Sequence, residues 1–538
     1  MKGFVGSVAL ITGFAVATRA LGFIFRIFLS RVLGAEMLGV YQIAFSYFMV
    51  FMTIIASGLP LIISRQIATG GRPSPRLTRN STDPSTDEQK PHSQIVDSAY
   101  RPSTSRIVTA GLVISLVASV IIILSVFVLR GPISGLFADT RAVSILLVLI
   151  PAILAFSIYT VLRAVWWGQR KFFLLGATEL VEQVARVVIF LLLLSVAFLF
   201  PNLAIAAALA FTLGCVVAAG AVVWIYARQR RQEKRVGAAL PPACNRQSNE
   251  YRNLLKTATP ITAVRVITTI ALPIIATILP ARLIAAGWSS SAAIAHFGIA
   301  VGMVLPLLSI PQTVISALST ALVPELSRAK EQGDHESIQR KIRNCIRFTL
   351  FVNFMLIPVF MAVGGGLGRF LFAEPQAGVY LIQSAWIMVP LSLSLITNAI
   401  LNSLGGETRA MMHYVIGSVF LFASVWILPQ FIGVGALIVG IGVCTAIASV
   451  LNVALIAKKT RADLGFITQM LGYIIITIPA VLIGRFLFGA IDNVMPLFFS
   501  MSIAGAVTMA VFLVLAWMFK LVELEHLKVR LQKKSPHS

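Results

Sequence analysis

The stretch ATRALGFIFRIFLSR, Ala17 to Arg31, sets two arginines, Arg19 and Arg26, inside an apolar run that reads as a helix. They are seven residues apart, two helical turns, so they project from one face. Thr12, Gly22 and Ser30 share that face, and Leu10, Phe14, Leu21, Phe25 and Phe28 occupy the opposite one. In a membrane, each guanidinium would cost at least about 2.5 to 3.5 kcal/mol on insertion scales, and such residues face a cavity, a partner or a ligand. Arg26, nearer the outer end, has the alternative of snorkelling to the surface.

The rest of the chain says that the run is a membrane span. Of 538 residues, 58% are hydrophobic and 12% charged, far from the composition of a soluble domain. Apolar stretches of about 20 residues, enough to cross a bilayer, recur at 8–30, 38–63, 107–129, 142–162, 173–199, 203–227, 257–281, 297–322, 348–368, 379–403, 411–429, 433–457, 466–488 and 495–519. The reading is an all-α integral membrane protein with about 14 transmembrane helices. Lys2 and AVA at Ala15–Ala17 imitate a signal peptide, but the run stays apolar well past Ala17, as a retained span does.

The net charge of +24 would suit nucleic acid if it were clustered. Instead the basic residues follow topology. With the N-terminus cytoplasmic, 34 fall in inner segments and six outside: Arg31, Arg130, Arg141, Arg282, Arg369 and Arg485. Four lie within spans: Arg19, Arg26, Arg186 and Arg265. This bias predicts a multi-pass membrane protein with both termini cytoplasmic and no nucleic-acid partner.

Two inner segments are long. Arg228–Arg252 is basic and near the midpoint, as a linker between halves would be; Gly70–Gln94 is rich in Pro, Ser and Thr and reads as a polar insertion. The halves echo each other: Ser64-Arg65 aligns with Ser327-Arg328 at a spacing of 263, and Arg170 with Arg409 at 239. The expected organisation is an N-terminal lobe 1–227 (helices 1–6, with the insertion at 70–106) and a basic linker 228–256. A C-terminal lobe 257–457 (helices 7–12), two helices in 458–519 and a cytoplasmic tail 520–538 follow. Two six-helix lobes as parallel repeats plus two C-terminal helices is a transporter architecture, with substrate bound between rocking lobes.

In helix 7, Arg265 shares a face with Thr262 and Thr269 and, as part of the second repeat's first helix, is expected to face helix 1 across the space between lobes. No Asp or Glu precedes Glu36, so counter-charge for Arg19 and Arg26 comes from another segment or from an anionic substrate. Guanidinium forks grip phosphate bidentately, which suits a pyrophosphate. Helix 5 carries Glu179, Glu182, Gln183 and Arg186 on one face; Glu182 and Arg186 at i, i+4 can form a structural ion pair, and an ion-coupling role is the alternative. Scattered Cys and His residues show no metal-ligand spacing, and no phosphate-binding glycine loop occurs, so no cofactor, metal or ATPase chemistry is expected. Outer carboxylates are sparse (Glu36, Asp139, Glu374, Asp492), which argues against an enzyme of the outer face.

Four stretches carry a family resemblance: LGFIFRIFLSRVLGAEMLGVYQIAFSYFMVFMTIIASGLPLIISRQIA (Leu21–Ala68), LRAVWWGQRKF (Leu162–Phe172), ELVEQVARVVI (Glu179–Ile189) and SALSTALVPELSRA (Ser316–Ala329). They resemble the stage V sporulation protein B group of polysaccharide biosynthesis proteins, within the multidrug/oligosaccharidyl-lipid/polysaccharide exporter superfamily that includes the lipid II flippases. The resemblance implies a fourteen-helix flippase that moves an undecaprenyl-pyrophosphate-linked glycan, lipid II above all, to the outer leaflet for peptidoglycan or spore cortex. It also implies a cluster of cavity arginines. Arg19, within TRALGF, matches the first-helix arginine, Arg26 nearly matches a second, and Arg65 and Arg265 are further carry-overs. Related flippases have an acidic residue beside the second arginine, where this chain has Ile27, which puts a gate built on that carboxylate in doubt. Expected partners are the lipid-linked substrate, membrane lipids and cell-wall synthesis machinery, with the chain acting as a monomer. The competing readings are a drug/cation antiporter of the same superfamily, an exporter of another lipid-linked polysaccharide, and a membrane-embedded enzyme or scaffold of envelope assembly.

Overall fold

A computed structural model describes residues 2–68, 104–135, 137–196, 202–235, 250–460 and 465–521. The Gly70–Gln94 insertion, residues 236–249 of the linker and the tail from 522 onward lie outside them, as do Cys244, His92, His526 and His537. Every element among the described residues is helical. Packing divides the chain into two units: Met1–Gly22 with Ala44–Leu272, and Phe23–Ile43 with Pro273–Ser538. The boundaries cut through helices, so packing groups differ from the linear lobes expected from the repeat.

The first unit draws on α1 (Lys2–Ala56), α2 (Gly58–Ala68), α3 (Thr104–Val128), α4 (Arg130–Ser134), α5 (Arg141–Leu149), α6 (Ala152–Gly168), α7 (Phe172–Ser195), α8 (Leu203–Arg235) and α9 (Glu250–Thr269). Sequence reading placed a loop at about 31–37; the structure instead runs helices 1 and 2 together as α1, bent at Gly34, whose φ of 70° and ψ of 173° suit only glycine. A Cβ there would meet nothing, so the requirement is conformational. α8 packs on α5, α6 and α7, and α2 packs on α6 and α9. Trp166 is fully buried, its indole nitrogen donating to Gln229 Oε1 at 3.0 Å. α9 stops at Thr269 because Pro273 lacks the N–H that would bond the Thr269 carbonyl.

The second unit contains the middle of α1 together with α10 (Ala271–Ala285), α11 (Ser290–Gly298), α12 (Leu305–Leu308), α13 (Ile310–Glu331), α14 (His335–Leu367), α15 (Pro375–Ser384), α16 (Met388–Ser403), α17 (Glu407–Ile427), α18 (Pro429–Ile432), α19 (Gly435–Thr460), α20 (Phe466–Ile491) and α21 (Leu497–Met518). π-helical turns at Ile299–Val304 and Gly368–Phe372 join α11 to α12 and extend α14. α14 is the centre, touching α13, α15, α16, α20 and α21. Residues 35–39 of α1 approach 294–302 backbone to backbone: a Cβ on Gly39 would overlap the Ile294 carbonyl, and one on Gly298 the Ala35 carbonyl. Helix contacts are tied by interhelical hydrogen bonds typical of membrane interiors. Ser392 Oγ donates to Asn353 Oδ1 at 2.9 Å, and Asn452 Nδ2 donates to Asn398 Oδ1 at 2.9 Å and Thr397 Oγ1 at 3.2 Å.

Among the described residues, twelve helices are long and apolar enough to cross a membrane. The first, Gly13–Ala68, covers two predicted spans, and α7 is uncharged and mainly apolar apart from Glu179, Glu182 and Arg186. These account for the fourteen of the sequence reading, and the chain is a multi-pass membrane protein. Large apolar side chains face outward, Phe486 at 81% exposure and Ile475 and Leu482 at 63%, as lipid contact requires.

Four of the six arginines expected on the outer side have structural partners. Arg31 donates through Nε to the Leu371 carbonyl at 2.8 Å and through Nη2 to the Phe370 carbonyl, and Arg282 Nε donates to the Trp426 carbonyl at 2.9 Å. Both therefore satisfy carbonyls at the C-terminal end of a helical segment, where positive charge is favoured. Arg141 and Arg369 pair with Asp139 and Asp492 at 2.6 and 2.7 Å.

Candidate functional site

In the first unit, the N-terminal part of α1 lies alongside α7. The Phe14 and Phe173 rings meet edge-on at 5.6 Å, Gly176 sits against Phe14, and Gly22 faces the Gln183 amide. This parallel register puts Arg19 at the level of Glu179 and Glu182, on an exposed flank of α1. Arg26 falls in the second unit, half-buried, within electrostatic range of Tyr41.

Arg65 and Arg265 occupy an antiparallel pair. Gly58 lies against Ala258 and Thr262, and Thr53 Oγ1 is 3.5 Å from Thr269 Oγ1. The face bearing Thr262 and Thr269 therefore meets the second predicted span, with the exposed Arg265 at its edge, near the level of the Ser57 bend. Thr268 and Thr269 both donate to the Arg265 carbonyl at 2.8 Å. Arg65, in the last turn of α2, is exposed near the level of Leu255 and Lys256, about 14 Å along the pair from Arg265 at 1.5 Å per residue. Arg19, Arg65 and Arg265 thus share one unit at three separate positions, and Arg26 belongs to the other.

The charged residues of α7 are joined in a network that sequence reading saw only in part. Arg186 Nη2 donates to Glu182 Oε1 at 2.6 Å, and its guanidinium lies 4.3 Å over the Phe211 ring. Glu179 pairs instead with Arg163 of α6 at 3.1 Å, and Arg163 Nη1 donates to the Tyr159 hydroxyl at 2.8 Å. Tyr159 in turn interacts with Glu182, so one chain of polar groups links both ion pairs. Arg163 and Tyr159 were not singled out from sequence. Hairpin geometry would have found them: Arg163/Glu179 and Tyr159/Glu182 are both centred on the turn at Arg170–Lys171.

That turn is a Schellman closure. Lys171 N–H bonds the Trp166 carbonyl at 2.9 Å and Arg170 N–H the Trp167 carbonyl at 3.1 Å, with Arg170 left-handed at φ 57°. The second half repeats it after α16: Gly406 N–H bonds the Leu401 carbonyl at 2.7 Å, Gly405 N–H the Asn402 carbonyl at 3.3 Å, and Gly405 has φ 71°. The structural equivalent of Arg170 is therefore Gly405, a spacing of 235 rather than the 239 of the sequence alignment. At matching places the second hairpin holds a network without carboxylate or arginine, in which His413 Nδ1 and Asn452 Oδ1 are 2.8 Å apart and Asn452 bonds Asn398. Among the described residues the ion pairs belong to the first of the two hairpins and not the second.

Twelve helices long and apolar enough to span among the described residues, with arginines on several of them, define a polytopic all-α membrane protein. The chain belongs to the polysaccharide biosynthesis protein family, which matches residues 4–330. It is 22% identical over 524 residues to Stage V sporulation protein B of Bacillus subtilis (strain 168), covering 95% of each chain. Among solved structures it resembles the lipid II flippase MurJ in an inward closed conformation, with TM-score 0.61, 13% identity, and coverage of 95% of this chain and 98% of that one. An inward-facing multidrug resistance MATE family transporter of the MOP superfamily gives TM-score 0.61 at 14% identity, covering 84% of this chain and 98% of that one. The chain shares the fold of these two solved structures, a lipid II flippase and a multidrug transporter.

Proposed function

We propose that the protein is a flippase that moves an undecaprenyl-pyrophosphate-linked oligosaccharide, lipid II as first choice, from the inner to the outer leaflet of the bacterial plasma membrane, for peptidoglycan or spore cortex. Arg19, Arg26, Arg65 and Arg265 hold the pyrophosphate and sugar while the lipid tail stays in the bilayer, and the lobes 1–227 and 257–457 alternate in access. Both termini are cytoplasmic, as the charge bias favours, and the chain works as a monomer alongside the cell-wall synthesis machinery. The observation that carries this reading is the seating of exposed arginines on spans of a chain from a polysaccharide biosynthesis family. Arginine in a low-dielectric setting favours a phosphorylated cargo over a cationic one.

The antiporter reading has a specific point in its favour, the MATE-like fold. A cation carrier needs carboxylates free to bind or exchange charge, however, and in the first unit Glu179 and Glu182 are engaged with Arg163 and Arg186. The test is the leaflet distribution of labelled lipid II in cells depleted of the protein and rescued with variants. Depletion should trap lipid II inside, and Arg19→Ala should fail to restore export; an unchanged distribution on depletion would refute the cargo.

A further inference from the structure

α14 is 33 residues long, about 50 Å, whereas the hydrocarbon core needs only about 30 Å. Its uncharged, mainly apolar run begins at Phe348, so Arg343 and Arg347 stand where that run gives way to the basic segment His335–Arg347. α21 reaches the same depth with exposed Trp517 (62%) and Phe519 (61%), aromatic side chains that settle at headgroup level.

Arg343 and Arg347 are one turn apart on the face that continues through Leu350 to Phe354. Phe354 stacks on Tyr473 of α20 at 5.5 Å, and Tyr473 lies 6.0 Å from Phe512 of α21, so this face looks into the seam of the three helices. Among the described residues both guanidinium Nε–H groups are buried with no hydrogen-bond partner, and Arg347 is within electrostatic range of Tyr473. Three lysines of this unit are engaged: Lys341 with Glu325 at 3.1 Å, and Lys330 and Lys459 with the Leu404 carbonyl at 3.3 and 3.5 Å.

The same seam holds an unmatched acceptor. Gln469 Nε2 donates to the Tyr473 hydroxyl and to the Leu521 carbonyl, both at 3.3 Å, and the Tyr473 hydroxyl also donates to Leu521. A carbonyl only accepts, which fixes the amide nitrogen toward Leu521 and leaves Gln469 Oε1 buried without a donor among the described residues. Two buried cationic donors and one buried acceptor need a ligand with anionic oxygens and a hydroxyl.

We propose that the seam of α14, α20 and α21 binds the headgroup of an anionic glycerol-type phospholipid, its phosphate held by Arg343 and Arg347 and its hydroxyl by Gln469. The acyl chains lie along the lipid-exposed faces of α20 and α21, where Ile467, Leu471 and Met518 point outward. The site does not depend on which cargo the protein carries.

The test is native mass spectrometry of the full chain, titrated with phosphatidylglycerol, phosphatidic acid or phosphatidylcholine, with thermal melting of each variant as the folding control. Wild type should hold one phosphatidylglycerol at least tenfold more tightly than phosphatidylcholine. Arg343→Gln/Arg347→Gln should lose that lipid, Arg343→Lys/Arg347→Lys should keep it only weakly, and Gln469→Leu should abolish the preference over phosphatidic acid. Inorganic phosphate at millimolar concentration should not displace it; complete displacement would mark a free-anion site and overturn the lipid assignment. Equal retention by a folded double Gln variant would overturn the site, and if that variant does not fold, equal retention by the double Lys variant would do so.

Discussion

Replacing Glu182 by Gln leaves Arg186 as a cation on an intramembrane helix with its counter-charge gone. In the folded protein the two side chains are 17% and 14% exposed and 2.6 Å apart, so little water screens them. Removing one partner of such a pair costs about 3–5 kcal/mol, whereas replacing both by neutral groups of similar volume is near neutral. The 4.3 Å cation–π contact with Phe211 offsets part of the loss, since such contacts contribute about 0.5–2 kcal/mol. We therefore expect Glu182→Gln to destabilise by about 2–4 kcal/mol, Arg186→Gln by a similar amount, and the double variant by about 1 kcal/mol or less. The assay is a double-mutant cycle by SDS titration in mixed micelles, with flipping measured on the same four proteins. Additive single effects, with no rescue in the double variant, would refute the ion pair as a structural unit. Rescued stability together with rescued transport marks the pair as structural; rescued stability with transport still lost assigns it an ion-coupling role.

Arg170→Gly should stabilise the protein by about 0.5–1 kcal/mol in the same titration, because relief of left-handed strain at φ 57° outweighs the added freedom of the unfolded chain; a loss would contradict the Schellman geometry. Gly39→Ala should cost about 1–3 kcal/mol or more, since its Cβ would overlap the Ile294 carbonyl and the backbones must part. Asn452→Ala removes the partner of His413, Thr397 and Asn398, and at about 0.6 kcal/mol per membrane hydrogen bond should cost about 2 kcal/mol in thermal or SDS unfolding. No measurable loss would mean that the network does not hold α16, α17 and α19 together.

What could be read from sequence was local or statistical. Hydropathy places the spans because each needs only its own residues, and the Glu182–Arg186 contact follows from i, i+4 spacing on one helix. Arg163 was counted as a loop residue because its partner Glu179 lies on another helix, and finding it requires knowing where the hairpin turns. The bend at Gly34 was read as a loop because charge and glycine interrupt the apolar run, although the helix resumes after one residue. The repeat was visible but set four residues off, since Arg170 does at its turn what glycine does at Gly405. The grouping of Arg19, Arg65 and Arg265 in one packing unit, with Arg26 in the other, depends on contacts between distant segments that no local pattern encodes.

The central claim, that arginines seated in the spans carry a lipid-linked pyrophosphate across the bilayer, is tested most directly with purified protein in proteoliposomes containing fluorescent lipid II. Accessibility of the label to an external quencher reports transfer between leaflets. Wild type should equilibrate the label, Arg19→Ala and Arg265→Ala should each slow transfer at least tenfold while melting normally, and Arg19→Lys should restore only part of the rate, because an ammonium lacks the bidentate fork. Transfer by a folded Arg19→Ala/Arg265→Ala protein at the wild-type rate would contradict the account.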